Sequence, residues 1–69
     1  MKPEVDLKVL HLLKKHPEGL IIQNMIDKLD YHRFTIQKAL YRLMIKDLIT
    51  ETIYTQNVKV YRYKLNVKG

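Results

Sequence analysis

The sequence contains no cysteine, no serine and no tryptophan, and only two glycines and two prolines. Without cysteine there is no disulfide and no thiolate metal site. Without serine there is no serine nucleophile. The two glycines, Gly19 and Gly69, stand far apart, so there is no glycine-rich loop to cradle a phosphate. No apolar run approaches the ~20 residues of a membrane span. Met1 is followed by alternating charge rather than the apolar core of a signal peptide. A soluble, cytoplasmic protein with no membrane partner is therefore expected. His11 and His16 are not at the i, i+4 spacing that puts two metal ligands on one helix face. Asp27 and Asp30 have no base or nucleophile near them in the sequence. No catalytic residue, cofactor or metal is expected, and the chain is read as a non-enzyme.

What is present points elsewhere. A chain of 69 residues is read as one domain spanning 1–69. Its 46% hydrophobic content is enough for a compact core. So small a core argues for added stability from a partner. It also argues against a ligand cavity of the usual ~300 Å³. The net charge is +6, and it is unevenly spread. Residues 1–30 balance five lysines against five acids, whereas residues 31–69 hold eight Lys or Arg against Asp47 and Glu51. A basic half of this kind suits an anionic polymer.

Hydrophobic periodicity divides the chain into six elements. A first helix runs for about a dozen residues from Pro3 and stops at Pro17. On a wheel of ~100° per residue, Leu7, Leu10 and Leu13 form one stripe and Val5, Val9 and Leu12 a second. Pro17-Glu18-Gly19 is a turn, and Leu20-Ile21 a short strand. A second helix follows to Leu29, with Met25, Ile26 and Leu29 inward. A third runs from Arg33 to Lys46, with Ile36, Ala39, Leu40 and Leu43 on its buried face. From Leu48 the period changes to two. Leu48–Tyr54 and Val58–Val67 read as strands of a hairpin around Thr55-Gln56-Asn57. The fold class is α+β: three helices, a short strand and a C-terminal β-hairpin.

That order, and several short motifs in register with it, resemble winged helix-turn-helix domains. Gly19-Leu20 followed by Met25-Ile26 and Leu29 is similar to the opening of their second helix. Thr35-Ile36-Gln37-Lys38-Ala39-Leu40-Tyr41-Arg42-Leu43 is similar to their recognition helix. Lys46-Asp47-Leu48-Ile49 resembles the turn into the hairpin, and Tyr61-Arg62-Tyr63-Lys64-Leu65 the last strand. Asp30 and Asp47 stand where such domains usually carry Gly, at positions that call for φ > 0. Ile21 and His32 stand where a Thr or Ser cap is usual, so the third helix has a weak start.

The resemblance implies double-stranded DNA as partner, with the third helix in the major groove and the hairpin, or wing, along the backbone. It implies a small transcriptional regulator. From Tyr31 to Lys46 there are four Lys or Arg and no acid, which suits a phosphate-lined groove. Arg33 and Gln37 are the base-reading types, Arg for guanine and Gln for adenine. Phe34 and Thr35 lie beside them. Lys38, Arg42 and the Tyr41 hydroxyl suit phosphates, which position without specifying. The start of the second helix, near Gln23, offers backbone N–H groups to another phosphate. Gln56, Asn57, Lys59 and Arg62 are the candidate contacts of the hairpin, with Glu51 a candidate ion-pair partner for Arg62.

Two further expectations stand beside this. Phe34, Tyr41 and Ile45 draw an apolar line down the third helix. It suits thymine methyls, or alternatively a protein partner in an assembly module that docks through this line or through the first helix, and RNA is a third class of partner. The stripe of Val5, Val9 and Leu12 is read as the interface of a homodimer, which would place two half-sites about one DNA turn apart.

Overall fold

A computed structural model of the chain describes residues 4–55 and 59–66; at 54–55 and 59–60 the description is of the backbone only. In chain order the elements are α1 (Glu4–Lys15), β1 (Leu20–Ile21), α2 (Ile22–Leu29), α3 (Arg33–Ile45), β2 (Ile49–Thr55) and β3 (Lys59–Leu65). Among the described residues these make an α+β arrangement of three helices and one antiparallel sheet of order β1-β3-β2. The central strand β3 pairs with β1 through Leu20↔Tyr63 and Ile21↔Arg62, and with β2 from Ile49↔Leu65 to Thr55↔Lys59.

Helix α1 has Glu4 and Asp6 in its first turn and Lys14 and Lys15 in its last, the arrangement its dipole favours. Its buried face differs from the expected one. Asp6, Val9 and Leu13, spaced i, i+3 and i+7, are the buried residues, and Leu7 is 60% exposed. The helix is turned because an acid, Asp6, joins the buried face. This corrects the placing of Val9 in an outward dimer stripe. Val9 is completely enclosed within the single chain, and Val5 and Leu12 are half-buried against the same core. Val9 therefore belongs to the core, while Val5 and Leu12 keep part of their surface exposed.

The turn after α1 explains Gly19. Its N–H donates to the His16 carbonyl at 2.9 Å, and its φ is +95°. A Cβ there would lie 2.6 Å from Cγ of Lys64 and 2.8 Å from Cγ of Arg62. Positive φ and the close approach of β3 both require glycine. Asp30 and Asp47 also adopt φ of 61°, as their positions led us to expect. The Asp30 N–H closes α2 on the Ile26 carbonyl at 3.0 Å, and the Asp47 N–H bonds the Met44 carbonyl at 2.9 Å beyond α3.

The core lies between the three helices and the inner face of the sheet. Val9, Leu13, Met25, Ile36, Leu40 and Leu43 are its largest fully buried side chains. Burial of each stabilises the fold by roughly 1.5–3 kcal/mol before entropy is charged. In α3 the buried set is Ile36, Ala39, Leu40 and Leu43, as the spacing predicts. In the hairpin the directly paired residues Ile49/Leu65, Glu51/Tyr63 and Ile53/Tyr61 share one face. Exposure along that face rises from 2% at Ile49 to 55% at Ile53, so its outer end is uncovered apolar surface. Asn66 ties the base of the hairpin to the preceding turn. Its amide donates to the Asp47 carbonyl and carboxylate at 2.9 Å each, its backbone N–H donates to Leu48, and its side-chain oxygen accepts from the Thr50 hydroxyl.

Candidate nucleic-acid interface

Because α3 buries Ile36, Ala39, Leu40 and Leu43, its opposite side faces solvent. Phe34, Tyr41 and Ile45 lie along that side at 66%, 64% and 67% exposure. Gln37 and Lys38 are exposed beside them, and Thr35 is half-buried. Lys38 Nζ sits 4.8 Å from the centre of the Phe34 ring, a cation–π contact that steadies both side chains. The start of α3 is uncapped: His32 is extended and its side chain makes no cap bond, yet the helix begins at Arg33. At α2 the Ile21 position also lacks a cap, and Asn24 Oδ1 accepts the Ile21 N–H at 3.3 Å. No acid occupies the first turn of either helix.

Arg33 is held in place. Its Nη2 donates to Gln23 Oε1 at 3.1 Å, and Gln23 Nε2 donates to Asp27 Oδ1 at 3.0 Å. The guanidinium is thus anchored to α2 through a neutral amide, with donors left over. It stands at the rim of a groove of about 310 Å³ between α2, α3 and β3, lined by Ile21, Ile22, Gln23, Arg33, Gln37, Tyr61 and Tyr63. A second concavity of about 350 Å³ lies over α1, lined by Leu7, Leu12 and Leu29 with Glu4, Lys8, His11 and Lys15. Volumes of this size were not expected of so short a chain. They arise between elements at the surface, so the core stays filled. Neither the Tyr61 groove nor its grouping with Arg33 and Gln37 has a local signal in the sequence.

Arg42 is placed differently from expectation. Its Nε and Nη2 donate to the two oxygens of Asp6 at 3.0 and 2.6 Å. The Asp6 side chain is 4% exposed and that of Arg42 43%. The hydrogen bond to Asp6 holds Arg42 even more firmly protonated than usual. This fork ties α1 to α3, and Arg42 is a staple of the fold rather than a free cation for phosphate.

The expected pairing of Arg62 with Glu51 is also corrected. Glu51 Oε2 accepts from the Tyr63 hydroxyl at 3.0 Å, on the inner face of the hairpin. Arg62 alternates to the other face and donates to the Glu18 carbonyl at 3.4 Å. Burial, then the bond to Glu51, push the Tyr63 phenol up to about 12. Gln56 and Asn57 lie outside the described residues, and Lys59 is described only as backbone of β3.

Among the described residues no helix is long and apolar enough to cross a membrane. None of them forms a group of three or more potential metal ligands. No protein-family model, no curated protein and no solved structure matches the chain.

Proposed function

We propose that this chain is a winged helix-turn-helix domain that binds double-stranded DNA with sequence preference, as a small transcriptional regulator. The observation that carries the reading is the solvent side of α3. It joins Arg33, Gln37 and Lys38 to Phe34 and Tyr41 on one exposed ridge, in a stretch from Tyr31 to Lys46 without a carboxylate. Among the described residues Asp6 is buried on the flank of this helix and takes Arg42, and Asp27 reaches Arg33 only through Gln23. The ridge therefore meets a phosphate-lined groove with positive charge. Arg33 and Gln37 read base edges, Arg33 from a guanidinium that Gln23 already orients. Phe34 and Tyr41 contact thymine methyls, and Lys38 reaches phosphate.

The test is a fluorescence-anisotropy titration with a random-sequence duplex at two salt concentrations. Binding at micromolar protein or tighter that weakens steeply with salt is the expected result. A matched RNA duplex serves as competitor, and RNA displacing DNA at equal concentration would reassign the partner.

The exposure of Phe34, Tyr41 and Ile45 favours one other reading, a protein-assembly module docking through the same ridge. Such docking would be nearly indifferent to salt. Absence of duplex binding at the lower salt would move the function to that class.

A further inference from the structure

The groove beside the ridge is built differently from the ridge itself. The ridge is convex and offers side-chain tips, which suits base edges in an intact duplex. The groove is concave, about 310 Å³, with Ile21, Ile22, Tyr61 and Tyr63 on one side and the polar Gln23, Arg33 and Gln37 on the other. Tyr61 is 41% exposed. Ile53, its cross-strand partner on the same face, extends that wall and is 55% exposed. Two edge-reading groups stand at the rim. Arg33 is braced by the Gln23–Asp27 chain, and the Gln37 amide makes no hydrogen bond within the described protein.

An aromatic wall with planar donors and acceptors at its edge is complementary to one class of ligand, a nucleobase out of the stack. A base inside a duplex has both faces covered by its neighbours and shows only an edge, so it cannot cover Tyr61 and Ile53. A phosphate could pair with Arg33 but would leave the Tyr61 ring and the two isoleucines uncovered. We infer that the groove between α2, α3 and β3 takes one unpaired nucleobase, stacked on Tyr61 with its edge toward Gln37 and Arg33. Those two residues favour a purine, Gln37 for adenine and Arg33 for guanine. The inference rests on the reading of α3 as the duplex-binding ridge, and it makes the preferred substrate a duplex with an unpaired purine at an end or bulge.

The experiment compares a blunt duplex with the same duplex carrying one unpaired adenine at an end, each titrated with the full chain, and places 2-aminopurine at that position only as the fluorescent reporter of stacking. Anisotropy gives affinity, and 2-aminopurine fluorescence reports stacking without any variant. The unpaired base is expected to raise affinity about fivefold or more, with its emission quenched. Tyr61→Phe keeps the gain. Tyr61→Ala loses it while the blunt duplex binds as before, and the melting temperature of each variant checks the hairpin. Equal affinity for the two duplexes with unquenched emission would overturn the inference and leave the duplex reading standing. Equal losses on both duplexes in Tyr61→Ala would make Tyr61 a backbone contact, which also overturns it. Binding of the unpaired probe alone would support the groove and contradict the duplex reading, and binding of neither would overturn both.

Discussion

Lys38 and Arg42 stand one turn apart on α3, and both are basic and exposed. Their partners separate them. Lys38 rests over the Phe34 ring and pairs with no acid among the described residues, whereas the Arg42 charge is matched by Asp6. Each phosphate contact contributes about 0.9 to the slope of log affinity against log salt. Lys38→Gln should therefore flatten that slope by about 0.9, which over a rise from about 50 to 200 mM salt changes the ratio of parent to variant affinity about 3.5-fold. Its melting temperature should hold. Arg42→Gln should do the reverse. It leaves the Asp6 carboxylate buried without its fork, so the melting temperature falls clearly. Anisotropy at the two salts and circular-dichroism melts read both quantities. An Arg42→Gln protein that melts like the parent while losing as much slope as Lys38→Gln would refute the division of labour.

Three further outcomes follow from the geometry. Gly19→Ala forces a side chain to φ +95° and pushes Lys64 and Arg62 aside. A conformational cost of ~1–2 kcal/mol, less ~0.4–1 for the stiffer unfolded chain, leaves about 1 kcal/mol before the displacement is counted, or a fall of at least roughly 4–8 °C in Tm; an unchanged Tm would contradict the crowding. The Tyr63 phenol has a raised folded-state value of about 12 against an ordinary 10, so its contribution is whole below pH 10 and is lost as pH rises toward 12. Urea unfolding of the parent relative to Tyr63→Phe should show that loss, and parallel curves from pH 8 to 11 would contradict it. Arg33→Ala should narrow the spread of affinities across a panel of duplex sequences more than Lys38→Gln does. A uniform drop on every sequence would take Arg33 out of base reading.

Much of this architecture is legible because its signals are local. Ile36, Ala39, Leu40 and Leu43 repeat at helical spacing, and the change to period two after Leu48 marks the hairpin. The positive φ of Asp30 and Asp47 was expected from the resemblance, because they stand where winged helix-turn-helix domains usually carry Gly. The face of α1 was not legible in the same way. Apolar periodicity cannot register a buried acid, and Asp6 is buried only because Arg42, 36 positions along, comes to meet it. Val9 consequently turned inward and Leu7 outward. The groove was hidden for a similar reason. Arg33 and Gln37 belong to α3, but Tyr61 reaches them only through the strand order β1-β3-β2. Alternation says which residues of a strand share a face, and leaves open what that face meets. Composition alone carried the charge of the second half, while the pairing of each charge depended on tertiary contact.

The most direct test of the central claim is a nitrogen–proton NMR titration of the chain with a short DNA duplex. If the duplex lies across α3, the amides of Arg33, Phe34, Gln37, Lys38 and Tyr41 and those of the hairpin shift together, while Leu7, His11 and Lys15 on the outer side of α1 stay where they are. Shifts confined to α1, or an unchanged spectrum at saturating duplex, would contradict it.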